Sequence, residues 1–569
     1  MAHREGGGRV VKAKVDSETK TLPRIGVFLC HCGSEIRDSL DLSVIERHVR
    51  KLPGVAFVRA APYPCSRPGI AEMLGTIKKH GLERILVAGC TPRLHGKLFA
   101  DACESAGVNR WLVEIVNIRE HCSRVHKNRR EATGKAKALV QAGLNRLHVA
   151  ETKETVRVTP LNSVLVVGGG LSGISAAAEL AGLNHEVTLI EKAGTLGGML
   201  TRILRPHPHV RTGKEILQEK LFRIEGKVDV LTQTTLASLK GGPGQYRATL
   251  SSNGKSDERN FGAVIVATGA QCPGVDELPW RKAPAFGGRL LPQMELEAEE
   301  PEKALESVGS IIFLNVLPRG LGGSVTRLSS LVALKNAVLL RERKPALELT
   351  FVFEQVPRDL EREFRRARES GVKFARHADG KPPEFTKTGL RLRDEGGKHI
   401  ELKTDAVVLP AVLVPSEKAG ELSEILRIPV DEKGFFVEPH VKLRPEEFIE
   451  RGVFIAGSCH SPASILECTA QAMAAASRAS RFLSGESFKA PLVSRIDENV
   501  CRGCGRCAEE CRWDAIEMES AAAELKLARV DETLCSGCGV CSTVCICGAP
   551  TLAPVALRQI RDAVKAAVD

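Results

Sequence analysis

The sequence predicts a multidomain α/β protein of Rossmann-like layers, and three observations carry that reading. The chain of 569 residues is too long for one hydrophobic core, so three or four domains are expected. The stretch Val164–Glu191, VLVVGGGLSGISAAAELAGLNHEVTLIE, runs from an apolar strand through a glycine turn and an Ala-rich helix to a second strand. Nine of the 18 cysteines fall between Cys501 and Cys547, a clustering that points to metal or redox chemistry rather than to disulfides.

Each part of Val164–Glu191 has a physical role. Gly168 allows a tight turn, Gly170 lets a pyrophosphate approach the backbone, and Gly173 lets the helix pack close to the strand. Leu171 and Ser172 open the helix, whose free N–H groups and partial positive charge face the phosphates. Glu191, 23 residues after Gly168, is placed to accept from a ribose hydroxyl. Lys192, Gly198 and Met199 extend the site through a turn whose glycines admit a close cofactor. The complete unit is a strong dinucleotide signal, where a lone glycine triplet would be weak.

Bulk properties exclude several classes. The formal charge is +12, with 81 Lys and Arg against 69 Asp and Glu, but the basic residues are scattered among acids. No basic run carries interleaved aromatics, so nucleic-acid binding is not expected. No apolar run is long enough for a membrane span, and Met1–Lys20 has no apolar signal region. A cytoplasmic location is the expectation.

Taken in order, residues 1–23 read as a flexible arm and 24–150 as a small α/β domain. Its expected strands are Arg24–Cys30, Arg84–Cys90 and Trp111–Val116, and its helices Leu42–Lys51, Gly69–His80 and Leu98–Ala106. Glu131–Ala150 reads as a helical linker. Cys30 and Cys32, Cys65, Cys90 and Cys122 sit where strands end or at turns, the place where sites form in open α/β sheets. Iron–sulfur ligands, a zinc site and buried structural cysteines all fit that pattern.

The dinucleotide unit opens a domain expected over 151–304 and resumed over 396–490. Val228–Ala237 and Tyr246–Leu250 read as strands. The strand Ala263–Gly269 ends in Ala267-Thr268-Gly269 and is similar to one typical of two-dinucleotide-binding-domain flavoproteins, as in thioredoxin reductase. Between the halves, 305–395 reads as a nested nucleotide-fold unit with strands Ser310–Val316 and Leu347–Phe353 around the helix Val325–Glu342. Its loop Leu317–Ser324 holds glycines 320, 322 and 323 at the wrong spacing for a second fingerprint, so a packing relic is expected there rather than an NAD(P)H site. Asp405–Val414 and Gly452–Gly457 return to the flavin domain as strands. Gly457 and Ser458 then precede the helix Ile465–Leu483, with serine where such proteins usually carry aspartate. Cys459 and Cys468 are too far apart in sequence for a usual redox pair and read as structural.

The tail, 491–569, carries the strongest signal. Cys501, Cys504, Cys507 and Cys511 follow the spacing C-x2-C-x2-C-x3-C, and Cys535, Cys538, Cys541 and Cys545 repeat it. This is the two-cluster ferredoxin pattern, which cross-ligates. One 4Fe–4S cluster takes Cys501, Cys504, Cys507 and Cys545, and the other takes Cys535, Cys538, Cys541 and Cys511. Cys547 reads as a spectator, and the triplet-plus-one spacing disfavours zinc.

On GVFLCHCG, YPCSRPG, AGCTPRLHG and NIREHCSRVH, and then on VVGGGLSGISAA, EKAGTLGGML, GVFIAGSC and the doubled cysteine run, the chain resembles the heterodisulfide reductase A-subunit family. The likeness covers residues 24–569. It implies a non-covalent FAD, several 4Fe–4S clusters including an N-terminal one on Cys30, Cys32, Cys65, Cys90 and Cys122, and a complex with B and C subunits. In that family the flavin is the proposed site of electron bifurcation. A homodimeric core is also expected. Two departures stand out. Longer members carry an inserted ferredoxin unit where Arg202–Lys227 has no cysteine, and many carry a cysteine-rich stretch where NVLPRGLGGSVTRLSSL has none. The chain thus reads as a shortened paralogue and an oxidoreductase subunit that converts between two-electron flavin and one-electron cluster chemistry. The alternatives are a self-sufficient NAD(P)H-dependent flavin oxidoreductase with a fused ferredoxin, and a non-redox adaptor.

Overall fold

The computed structural model describes residues 22–152, 157–208, 211–273, 286–297, 305–317, 323–378, 380, 382–439, 445–448, 452–485, 487–488, 493–520, 526–532, 534–535, 537–553, 561 and 564. It divides into two compact units: Met1–Thr155 with Ala490–Asp497 and Gly548–Asp569, and Val156–Lys489 with Glu498–Cys547.

The first unit is built on four parallel strands, β1 (Ile25–Cys30), β2 (Val55–Ala61), β3 (Arg84–Gly89) and β4 (Val113–Asn117), in the order β2-β1-β3-β4. Helices α1 (Leu42–Val49), α2 (Arg67–His80), α3 (Pro92–Ser105) and α4 (Arg129–Val149) alternate with them. All six residues of β1 are buried, which explains the continuous apolar run IGVFLC. The edge strand β2 is absent from the sequence expectation. Only Val58 of its seven residues is buried, so neither an apolar run nor a clean alternation marks it. The segment read as a linker is α4, and it belongs to the core. Its Ala132, Ala136, Val140, Leu144 and Leu147 pack with Val27, Leu29 and Leu86 of the sheet. A methyl group on Gly143 would meet Val116 Cγ2 at 2.6 Å, so the helix lies close on β4. A separate antiparallel pair, Val493–Ile496 with Pro550–Ala553, also belongs to this unit.

The second unit holds two five-stranded parallel sheets. The first has the order Val453–Ile455, Ala263–Val266, Ser163–Val167, Glu186–Ile190, Asp229–Leu231. It is flanked by the helices Leu171–Gly182 and Ile465–Leu483, which bury Ala-rich faces against Val164, Val166 and Ile265. An antiparallel meander, Thr234–Gly242, Gln245–Ser252 and Lys255–Phe261, adjoins it, so Val228–Ala237 is two strands and not one. The second sheet has the order Arg289–Pro292, Ala406–Leu409, Ser310–Asn315, Glu348–Phe353, Lys373–Arg376. Ala406–Leu409 therefore pairs within the nested unit rather than returning to the first sheet. Sequence alone cannot separate the two, since strands buried on both faces read alike in either sheet. In the loop Leu317–Ser324, residues 318–322 lie outside the described residues. Among the described residues no helix is long and apolar enough to cross a membrane.

Because α4 is a core element, Leu144→Ala should cost about 2–5 kcal/mol, the usual range for a buried leucine. Hydrogen exchange of the β1 amides in the full chain measures it. A linker helix would show almost no change.

Candidate flavin and iron–sulfur sites

The first sheet opens at its carboxyl edge into a cavity of about 670 Å³. Gly168 leaves the strand at φ +112°, and a methyl there would collide with the Ala267 carbonyl. A methyl on Gly173 would collide with the Gly168 carbonyl, so strand end and helix start touch backbone to backbone. Gly170 faces open space, with nothing within 4 Å of an added methyl. It is the N-cap of the helix Leu171–Gly182 and brings no side chain to cap it, which leaves the first amides available. Gly170, Leu171 and Ser172 line the cavity with Gly168. Gly173 and Gly457 do not line it; Gly457, at φ +82°, lets the loop approach Ser172 so closely that a methyl would strike its side chain.

Glu191 also lines the cavity, with Lys192, Gly198 and Met199. Its carboxylate accepts from Gly169 N at 2.6 Å and from Ala193 N at 2.8 Å, tying the glycine turn to the end of the second strand. Each oxygen keeps a lone pair for a ribose hydroxyl. Gly198, at φ +52°, stands against Gly170, where a methyl would come within 3.2 Å of its Cα. On the other wall lie Ala267, Thr268, Gly269 and Ser458. The buried Thr268 hydroxyl has no hydrogen-bond partner among the described residues. An orphaned buried hydroxyl is costly unless something meets it. With the open glycine cradle and the uncapped helix, it fits a dinucleotide such as FAD.

The helix Ile465–Leu483 presents a second N-terminus to the same space. It reaches the cavity at Ser464 and Ile465, but a capping box closes its end. Glu467 accepts from Ser464 N at 2.8 Å, and its carboxylate pairs with Arg327 at 2.9 Å. Its first-turn positive field is already met by an acid. Ser458 Oγ turns to Cys468 Sγ at 3.5 Å.

Sequence reasoning missed an ion pair in the cavity wall. Lys335 donates to Glu297, and both line the cavity. Burial lowers the Lys335 pKa, opposed by the Glu297 charge. The available signal was the polar pair Lys335-Asn336 inside the run LVALKNAVLL, whose other residues are apolar.

In the first unit, Cys30 ends β1, Cys32 sits in the next turn at φ +49°, Cys65 precedes the Ser66 cap of α2, and Cys90 follows β3. These four come together. Burial pushes the Cys30 thiol up to about 12, and the charges of Cys32, Cys65 and Cys90 push the same way. Burial also raises Cys90, opposed by Arg119. Arg119 Nη1 donates to Cys32 Sγ at 3.1 Å. Cys122 is fully buried in the apolar cluster of Val116, Ile118 and Ala132, against which Cys32 also packs, and burial pushes it up to about 11.

In the tail, Gly503, Gly505, Gly537 and Gly539 all have positive φ and curve the two cysteine loops. Gly505 and Gly539 lead into the short helices Arg506–Glu509 and Val540–Val544, which carry Cys507 and Cys541. Burial raises Cys507, and Cys501 and Cys504 stand close enough to add like charge. Burial raises Cys511 too, but its charged thiol neighbours are Cys535 and Cys538 of the other half. Cys545 follows the second helix. Among the described residues no three His, Cys, Asp or Glu side chains crowd tightly enough for a single metal ion, so the fit to clusters rests on the number and type of donors.

These sites define an iron–sulfur flavoprotein oxidoreductase on a two-dinucleotide-binding-domain scaffold. A model of the pyridine nucleotide-disulphide oxidoreductase family matches residues 162–296, and a 4Fe–4S dicluster model matches 500–549. The iron–sulfur A subunit of a CoB–CoM heterodisulfide reductase from Methanopyrus kandleri is 30% identical over 87% of this chain and 90% of its own. The A subunit of an H2:CoB–CoM heterodisulfide,ferredoxin reductase from Methanothermobacter marburgensis is 28% identical over 91% and 94%. The chain belongs to the family of heterodisulfide reductase A subunits. The Methanopyrus alignment runs over 611 positions while taking in 87% of these 569 residues, so that relative carries segments this chain lacks. A solved thioredoxin reductase of T. acidophilum is 17% identical over 57% of this chain and 98% of that one, at a TM-score of 0.38, too low to bear on the fold.

A Gly173→Ala chain should lose FAD, because its methyl forces the helix off the strand. The expected fall in bound FAD is at least about tenfold, or 1.4 kcal/mol, read from the flavin content of purified protein. Cys122→Ser should keep the iron content of the N-terminal unit and Cys65→Ser should lower it, as measured by iron and sulfide analysis.

Proposed function

We propose that the chain is the electron-transfer subunit of a heterodisulfide-reductase-like complex. The reading has FAD in the cavity behind Gly168, Gly170 and Gly173, with Glu191 on the ribose. Two 4Fe–4S clusters belong to the tail, one on Cys501, Cys504, Cys507 and Cys545, the other on Cys535, Cys538, Cys541 and Cys511. A third belongs to Cys30, Cys32, Cys65 and Cys90. Flavin supplies the conversion between two-electron and one-electron transfer, and clusters supply one-electron storage. The observation that carries this reading is that the cavity and the doubled cysteine loops fall in one compact unit.

The chain's own residues act by holding and excluding. Gly170 and the uncapped helix bind the phosphates, and Thr268 meets a polar atom of the cofactor. Leu328 and Leu331 of the helix Gly323–Arg343 wall the cavity with apolar surface and keep water from it. Arg119 places positive charge on Cys32. Partners resembling the B and C subunits, or other electron-transfer proteins, take electrons to or from the clusters, and a homodimer forms the core. Electron bifurcation at the flavin belongs to the same proposal.

The test is anaerobic mixing of the purified chain with NADH and then NADPH, following flavin absorbance. No bleaching is expected, while dithionite reduces both flavin and clusters. Rapid bleaching by either nucleotide would overturn the relay and favour a self-sufficient reductase.

A further inference from the structure

The cluster-bearing segment is held to the flavin-binding part at a compact seam centred on Arg427. This arginine follows the helix Ala419–Leu426 at φ +56°, its N–H bonding back to Ser423 O. Its guanidinium carbon lies 4.1 Å from the centre of the Trp513 ring. The same guanidinium donates to Arg512 O and, at 3.4 Å, to Leu239 O. Beside it, Lys240 Nζ pairs with Asp514 at 2.9 Å. The turn Arg512-Trp513-Asp514 directly follows Cys511, and Asp514 N bonds to Cys511 O at 3.0 Å.

Two elements grip that turn, and both wall the cavity. Ala419, Leu422 and Ile425 of the helix line it, as do Thr234, Thr235 and Leu236 of the strand Thr234–Gly242. The seam therefore spans from the cavity wall to the residues next to a cluster cysteine. A guanidinium over an indole, with two backbone carbonyls to receive its N–H groups, is a contact that a lysine ammonium does not reproduce in full and leucine not at all.

We propose that Arg427 and Trp513 form a docking seam that positions the Cys511 cluster for electron exchange with the flavin. Arg427 is a positioning residue, and this inference rests on the electron-transfer reading above. The transfer it supports moves two electrons from the reduced flavin anion FADH−, one to each tail cluster, with one N–H proton released to water.

The test uses the full chain with its FAD and clusters, flash-photoreduced with deazaflavin under anaerobic conditions. Flavin absorbance follows the electrons from flavin to clusters. Arg427→Gln and Trp513→Leu should each slow that phase at least about tenfold, as 1.4 kcal/mol of lost docking would. FAD content, iron content and the midpoint potentials of flavin and clusters should stay unchanged. Trp513→Phe, which keeps an aromatic face, should restore most of the rate and keeps the test open if the leucine variant misfolds. Wild-type rates in Arg427→Gln and Trp513→Leu with intact cofactors would overturn the seam while leaving the electron-transfer reading in place. A wild-type chain that binds all cofactors yet passes no electron from flavin to cluster would overturn the electron-transfer reading itself.

Discussion

There is no room for a side chain between Gly173 and the carbonyl of Gly168, and the second unit is assembled around that contact. The helix can sit on the strand end only because Gly173 lacks a Cβ, while the missing Cβ of Gly168 makes room for the Ala267 carbonyl of the next strand. Once it sits there, its first turn faces the carboxyl edge of the sheet, and Glu191 binds the turn at Gly169 from the neighbouring strand. The strand Ala263–Val266 then brings Thr268 to the opposite wall, because it pairs in parallel with Ser163–Val167 residue for residue. One backbone contact thus decides where the cavity opens and which side chains face it.

What was legible in the sequence divides along physical lines. The glycine turn and the doubled cysteine loops were readable because backbone sterics and thiolate spacing are local constraints, written within about a dozen residues. The strand β2 was not, because an edge strand with one buried residue carries no periodic signal. The Lys335–Glu297 pair was not, because a lysine inside an apolar helix does not name its acid 38 positions away. The same holds for Arg427 and Trp513, whose contact is made by tertiary packing. Among the five N-terminal cysteines, sequence placed all near strand ends. The fold adds that Cys122 lies wholly inside the apolar cluster under α4, while Cys30 feels the charges of Cys32, Cys65 and Cys90.

The contrast between the two helices at the cavity bears on how a cofactor lies in it. Both present an N-terminus to the same space, so both could attract an anionic group. At Leu171–Gly182 the N-cap is a glycine with no capping side chain, and the amides are free. At Ile465–Leu483, Ser464 and Glu467 already bond the terminal amides, and Arg327 neutralises the glutamate. Displacing such a cap costs roughly 0.5–2 kcal/mol, close to the whole gain a helix terminus offers an anion, up to about 2 kcal/mol. A phosphate therefore gains little at the second helix and its full stabilisation at the first. On the proposed reading a pyrophosphate would lie at Gly170, and the cavity wall beyond it runs through Thr268, Lys335 and the helix Ala419–Leu426 that carries Arg427 at its end.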